Sequence, residues 1–208
     1  MRRLISLCLA GLAGIACTGV PAAAEAAAPY PAAQVLGAAK DACADLSSRD
    51  ATAAKVSASG WTKAADPYAT PVGELVRLGY EAGRELVEGQ GGKLDNGPLV
   101  FSRAVAGETL HLVLSSVDVA GTTVIGCRTY DVAETRKIEQ PEVAAWAGRE
   151  PDTVVDRAEL VKYTWEPGLT AGQDSFEVFY VPAGSPLMAL VKVSGIAIKA
   201  DQVSELQR

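Results

Sequence analysis

Hydrophobic residues at helical spacing mark the start of the folded chain. Apolar residues, Cys43 among them, recur every three or four positions and predict a first helix over 33–46, with these residues on one face. Asp50 is a candidate N-cap for a second, shorter helix through Ser59. The side chain of Cys43 is therefore expected to point into the core.

Two further helices have start and stop signals in the sequence. Thr70 is the expected N-cap of a long helix that Gly89 ends. Pro141 suits the first turn of a short helix that Gly148 terminates. The long helix has an apolar stripe on one side and charged residues on the other, which is typical of a helix that lies on the surface of a core.

The hydrophobic period changes to two after the Asn96-Gly97-Pro98 turn, which indicates strands. Three strands are predicted, over 99–105, 109–119 and 122–132. The turns between them are short, and tight turns join strands that run antiparallel. We therefore expect a three-stranded antiparallel meander.

A second group of strands is predicted after the charged loop 149–152. Alternating residues indicate strands over 158–166, 175–182 and 187–199, again separated by short turns rich in glycine and proline. Gly195 interrupts the last of them and is expected to form a β-bulge.

Together these elements predict an α+β fold. N-terminal helices would pack on one face of an antiparallel sheet of about six strands, built from two three-stranded meanders separated by a short helix. One globular domain is expected over 33–200. Residues 201–208 are polar and are expected to fray as a tail.

Residues 1–24 have the pattern of a cleavable secretory signal peptide. Two arginines precede an uncharged apolar stretch, and Ala22–Ala24 form a small-residue cleavage site. Cleavage near Ala24 would release the chain to the periplasm or the secreted space, with 25–32 as a flexible leader. Two alternatives remain: a transmembrane anchor, for which the stretch is short and contains glycines, and a lipoprotein anchored at Cys17.

The charge balance of the mature chain is acidic. Without the two arginines of the signal peptide, 17 basic and 25 acidic residues remain, which gives a net charge of −8. Such a surface repels nucleic acid and anionic lipid headgroups, so nucleic-acid binding is not expected. No other apolar stretch reaches membrane length, and we expect no transmembrane segment in the mature chain.

Cysteine usage predicts one disulfide. Cys43 and Cys127 both follow the signal peptide, and two cysteines in an exported chain are typical of a single bridge. The alternative is a pair of separate buried thiols. A bridge would staple the first helix to the third predicted strand, and loop-closure entropy would give it about 4.5 kcal/mol of stabilisation.

Few residues are candidates for chemistry. His111 is the single histidine, and its alternating strand neighbours favour a structural role over membership of a catalytic triad. Glu166 next to Trp165 is a weak candidate for a sugar-stacking site, and a strand-end acid beside a core aromatic is the simpler interpretation. The sequence has no nucleophile elbow, zinc-ligand spacing, calcium loop or phosphate-binding loop. It therefore predicts no catalytic residue, metal site or cofactor.

Three hypotheses of function follow. The favoured one is a non-catalytic exported domain that binds a protein or an envelope component, because no catalytic cluster is visible. The first alternative is a carboxylate-dependent hydrolase, which needs two facing acids in a pocket. The second is a carrier of a small apolar ligand, which needs a cavity between the helices and the sheet.

Overall fold

The structure is a computed structural model that describes residues 28–95 and 97–205. The predicted signal peptide, its cleavage site near Ala24 and the alternative lipid anchor at Cys17 lie outside these residues. None of the helices within the described ranges is long and apolar enough to cross a membrane.

Five helices and nine strands make up the described chain. The helices are α1 (Ala32–Ala42), α2 (Arg49–Ala58), α3 (Gly73–Glu88), α4 (Gln140–Ala147) and α5 (Met188–Val191), and a 3-10 turn covers Pro67–Ala69. The strands are β1 (Thr62–Lys63), β2 (Lys93–Leu94), β3 (Leu99–Val105), β4 (Glu108–Val119), β5 (Thr122–Val132), β6 (Thr153–Arg157), β7 (Leu160–Trp165), β8 (Ser175–Val181) and β9 (Gly195–Glu205). The α+β class is confirmed, but the sheet is larger than the six strands predicted.

One antiparallel sheet contains every strand. Its order is β1-β3-β4-β5-β9-β8-β7-β6, and the short β2 pairs with β4 beyond the end of β3. The two predicted meanders are present as β3-β4-β5 and β7-β8-β9. β9 joins them, because it pairs with β5 along one edge and with β8 along the other.

The first meander has two tight turns of the same composition. Ala106 and Gly107 have φ angles of 51° and 96°, and Ala120 and Gly121 have φ angles of 51° and 81°. Positive φ at both central residues defines the turn whose twist matches that of the flanking strands. These turns therefore set the register in which β3, β4 and β5 pair.

The predicted last strand is displaced along the chain. A strand was expected over 187–199, but α5 occupies the first part and ends at Lys192, which is left-handed with a φ of 60°. β9 then continues to Glu205 and pairs with β5 to its end, where a frayed tail from residue 201 was predicted. Gly195 is the first residue of β9 and not a bulge, and a Cβ there would collide with the backbone of β5.

Three short strands were not predicted. β1 and β2 have only two residues each, which is too few for an alternation to be visible. β6 is an edge strand in which four of five residues are exposed, so it has no buried face to leave a hydrophobic pattern. The helix starts also differ, since α2 begins at Arg49 before Asp50, and α3 begins at Gly73 rather than next to Thr70.

Helices cover both faces of the sheet, whereas the sequence predicted them on one. The main core lies between α1, α2 and α4 and one face, and it contains Leu36, Leu112 and Trp165. We call this side the core face. The opposite face also carries apolar residues, among them Val100 and Val113, which pack against the start of α3. Because strand side chains alternate, burying residues on both sides requires cover on both sides.

The predicted disulfide is present. Cys43 follows the last residue of α1 and is bonded to Cys127 in the middle of β5, with 5.8 Å between the two Cα atoms. The Gln173 side chain donates a hydrogen bond of 2.8 Å from Nε2 to the Cys43 carbonyl oxygen. The end of α1 is thus fixed to the sheet covalently and by a buried hydrogen bond.

The residues before α1 are also held in place. Tyr30 is buried, and its hydroxyl donates a hydrogen bond of 2.8 Å to Oδ2 of Asp131 on β5. A flexible leader was predicted over 25–32, but from Tyr30 onward the chain is part of the fold, because this contact anchors it to the sheet.

We predict that replacing both disulfide cysteines by serine lowers the free energy of unfolding by up to about 4.5 kcal/mol, because the unfolded chain regains a loop of 84 residues. Urea denaturation of the oxidised protein and of the double variant measures the difference. Adding a reductant should destabilise the wild type and leave the double variant unchanged. Equal stability of the two proteins would contradict this account of the bridge.

Candidate functional site

A groove crosses the sheet face that is opposite the core face. Its floor is formed by β4, β5, β7, β8 and β9, and its walls by α3 on one side and by α5 with its flanking residues on the other. The groove has two lobes that share Leu75, Arg128 and Tyr130. Leu75 and the two β5 residues therefore mark the boundary between the lobes.

Both lobes are lined mainly by aliphatic and aromatic side chains. The helix lobe has a volume of about 330 Å³, and its other lining residues are Val76, Gly79, Tyr80, Gly83, Leu94, Pro98, Val113, Ser115 and Val117. The sheet lobe has a volume of about 280 Å³, and its other lining residues are Leu160, Phe179, Val181, Leu187, Val191, Val193, Ala197, Ile198 and Lys199. Among the described residues, no carboxylate lines either lobe.

The helix lobe exists because α3 stands away from the sheet around Gly79. Val76 is buried near its start and Val87 near its end. Between them, Gly79 has no side chain, and no atom lies within 4 Å of the position that a Cβ would occupy. The helix therefore bridges the sheet and leaves space beneath it.

A row of alternating charges crosses this face of the sheet, and two of its members, Arg128 and Lys199, line the groove. Arg128 Nη2 lies 3.5 Å from Asp201 Oδ1, and Lys199 Nζ lies 2.6 Å from Asp201 Oδ2. The same lysine lies 3.2 Å from Glu177 Oε2, and Lys162 Nζ lies 2.6 Å from Glu177 Oε1. We call these five residues the charge ladder. They come from β5, β9, β8 and β7, and they hold four neighbouring strands together on one face.

Arg128 is held in position by its neighbours on the sheet. Nη1 donates a hydrogen bond of 3.2 Å to the Ser115 hydroxyl on β4. The guanidinium lies over Gly126, where a Cβ would collide with Nη1. A glycine two residues before the arginine is therefore what allows the side chain to lie flat across the sheet.

Glu177 is the buried acid of the charge ladder. Burial alone would raise the pKa of its carboxyl, but the hydrogen bond from Lys162 and the positive charge of Lys199 together lower the pKa below its ordinary value. Tyr130 behaves differently, because burial raises the pKa of its phenol and the nearby charge of Arg128 only partly offsets this. At neutral pH, Glu177 is ionised and the Tyr130 hydroxyl keeps its proton.

The three site candidates from the sequence are not brought together. His111 lies on the same sheet face as the groove but lines neither lobe, and it is buried with no hydrogen-bond partner for Nδ1 among the described residues. Burial lowers the pKa of its imidazole. Trp165 is fully buried in the main core and packs on Phe176, while Glu166 is exposed.

One acidic cluster has the spacing of a cation site. One carboxylate oxygen from each of Glu108, Asp131 and Glu134 lies within 4.8 Å of the others. Arg136 Nη2 pairs with Glu108 at 2.7 Å and also with Glu134, and Tyr30 donates to Asp131. Arg136 thus places one positive charge among the three acids, and the bond from Tyr30 to Asp131 lets the cluster fix the residues before α1.

A second depression, of about 600 Å³, lies along the outer side of α3. Its lining residues, among them Leu78 and Glu85, all belong to that one helix. A depression with a single wall cannot surround a ligand, whereas the groove has walls on two sides. We therefore regard the groove as the candidate site.

Sequence reasoning missed the groove. Arg128, Glu177 and Lys199 each occupy the middle of a strand between two buried residues, so their positions are typical of the wet face of a half-buried sheet. The sequence does show that each of these three strands has a charged residue near its middle. That these charges form a row of alternating sign can be recognised only when β9 is known to lie between β5 and β8.

We predict that Glu177→Gln lowers the free energy of unfolding by about 1.5–3 kcal/mol at neutral pH, the range for hydrogen bonds to charged groups. Because the folded-state pKa of Glu177 is lowered, its stabilisation is present above the ordinary pKa of 4.5 and is lost as the pH falls through the folded-state value. Urea denaturation near pH 7 and near pH 3 should show the difference shrinking in acid. The exposed Glu205→Gln is the control, and a pH-independent difference for the Glu177 variant would contradict the prediction.

Comparison with known proteins identifies no relative. No protein-family model, curated protein or solved structure matches the chain. The assignment of function therefore rests on the geometry of the groove and of the charge ladder.

Proposed function

We propose that the protein is a non-catalytic binding protein of the periplasm or the secreted space, and that it holds a small, largely apolar ligand in the groove. The observation that carries this proposal is the two-lobed cavity between α3, α5 and the sheet, lined mainly by aliphatic and aromatic residues. Ligand sites in proteins are typically apolar clefts of roughly 300–1,000 Å³ with a few polar groups, and the two lobes together fall in that range.

The chemistry of the lining supports binding rather than catalysis. The ionisable side chains that reach the groove are Tyr80, Arg128, Tyr130 and Lys199. Arg128 and Lys199 are engaged in the charge ladder, and Tyr130 is protonated at neutral pH. A carboxylate-dependent hydrolase needs two acids that face a substrate, and the groove offers none among the described residues.

The location outside the cytoplasm has separate support. A disulfide bond persists in oxidising compartments, and the first 24 residues have the pattern of a signal peptide. An exported binding protein of this kind would meet apolar ligands from the cell envelope, which links the groove to the envelope component expected from the sequence.

Native mass spectrometry of the freshly purified protein tests the proposal. A co-purifying mass that is released on unfolding is expected. In parallel, the neutral fluorophore N-phenyl-1-naphthylamine should bind and become brighter in the apolar groove. If no mass co-purifies and the fluorophore does not bind, the proposed function is wrong.

We predict that Gly79→Leu weakens binding of this fluorophore at least tenfold, or by about 1.4 kcal/mol, because the new side chain fills the helix lobe. The position tolerates a side chain, since no atom lies within 4 Å of the Cβ site, and leucine favours the helical backbone more than glycine does. Fluorescence titration measures the affinity, and thermal melting verifies the fold.

Gly37→Leu is the matched control for this variant. Gly37 lies on α1, on the other side of the sheet, and its Cβ site also has no neighbour within 4 Å. The control should bind the fluorophore as the wild type does. Unchanged binding by the Gly79 variant would exclude the helix lobe as the site.

A further inference from the structure

Arg128 occupies a special place in the groove, because it lines both lobes where they meet. Its side chain is 32 % exposed, so the guanidinium is open to the cavity on one side and rests on the sheet on the other. A permanent positive charge thus lies between two apolar spaces.

The hydrogen-bonding capacity of Arg128 is not used up by the protein. A guanidinium has five N–H donors. Within residues 28–95 and 97–205, Arg128 makes one hydrogen bond, to Ser115, and an ion pair with Asp201 at 3.5 Å, which is too long for a good hydrogen bond. Several donors therefore remain for a ligand, and Gly126 provides the space that keeps them in place.

The charges of the ladder do not balance. The charge ladder contains three cations and two acids, so its net charge is +1. This excess stands out in a mature chain whose predicted net charge is −8. One negative charge on a ligand would neutralise the ladder, and a planar carboxylate matches the fork of a guanidinium.

The sheet lobe, which extends from Arg128 toward α5, is suited to a hydrocarbon chain. Phe179, Leu187 and Val191 contribute to its lining, and Lys199 is the one charged residue there besides Arg128 among the described residues. An apolar chain that leaves water for this space is stabilised by about 25 cal/mol for each Å² of surface buried.

We propose that the groove binds a singly charged amphipathic carboxylate, with its carboxylate at Arg128 and its alkyl chain in the sheet lobe. This inference rests on the proposed function, and it adds the class of ligand and the residue that recognises its head. The positive charge of the ladder selects against cationic amphiphiles, and the apolar lobe selects against short hydrophilic acids.

The test compares three ligands with the same alkyl chain: dodecanoate, dodecanol and dodecyltrimethylammonium. Each competes with N-phenyl-1-naphthylamine for the purified full chain, from which co-purifying lipid has been removed. Wild type should bind dodecanoate about ten- to a hundredfold more tightly than dodecanol, the range for hydrogen bonds to a charged group. The ammonium ligand should bind most weakly.

Arg128→Met should abolish the preference for the acid, so that the folded variant binds dodecanoate no more tightly than it binds dodecanol. Gly126→Ala should reduce the preference while keeping the arginine, because the new methyl group displaces the guanidinium. Arg103→Gln is the control, since Arg103 pairs in register with Leu110 and so lies on the core face. Thermal melting shows whether each variant is folded.

The outcomes separate the two proposals. If wild type binds dodecanoate and dodecanol equally, or if the preference persists in folded Arg128→Met, the carboxylate inference is wrong while the apolar site stands. If the ammonium ligand binds more tightly than dodecanoate, the carboxylate inference is likewise wrong while the proposed function stands. If none of the three ligands displaces the bound fluorophore, the carboxylate inference is wrong. If the fluorophore does not bind and no mass co-purifies, the proposed function fails with it.

Discussion

The alternation of side chains along β5 determines which of its residues face the core and which face the groove. Cys127 and Arg128 are neighbours in sequence, and the strand directs their side chains to opposite faces of the sheet. Cys127 is covalently bound to the end of α1 in the core, while Arg128 lies in the groove. The bond on one face therefore fixes the strand that presents the arginine on the other, and a shift of one residue would exchange the two faces.

The charge ladder shows how a sheet can keep ionised groups on a half-covered face. Each acid of the ladder lies between two cations, so the cost of partly removing it from water is offset by close opposite charges. Because the partners lie on adjacent strands, the same contacts also favour the order β5-β9-β8-β7 over other pairings. The ladder as a whole carries one excess positive charge, and Arg128, at one of its two ends, lies where the apolar lobes meet.

Much of the fold could be predicted from local patterns. The four longer helices were visible as amphipathic periods or start and stop signals, and β3, β4 and β5 as alternation between Ala-Gly turns. The failures have physical causes. The segment before Gly195 is largely apolar and resembles a strand, but it forms α5, which covers the groove and pairs with no neighbouring strand. β6 is exposed along most of its length, so its sequence does not show the alternation of hydrophobic and polar residues that marks a half-buried strand.

The groove lay beyond sequence reasoning for a different reason. Its floor combines residues from the beginning and the end of the sheet, which become neighbours only through β9. His111 stood out as the single histidine, but the identity of one residue does not show which side chains surround it in the fold. Gly126, whose missing side chain makes room for Arg128, looked like any glycine in a strand.

The central place of β9 also bears on how the chain acquires its shape. Thr122 pairs with Glu205, so the seam between the two meanders closes over a long stretch of intervening sequence, and such distant pairing is slow to form. A polypeptide that is threaded through an export channel has to stay unfolded until most of it has passed. For the export that we propose, a topology whose middle strand is synthesised last would delay collapse of the chain, and the two cysteines would meet an oxidant only after translocation.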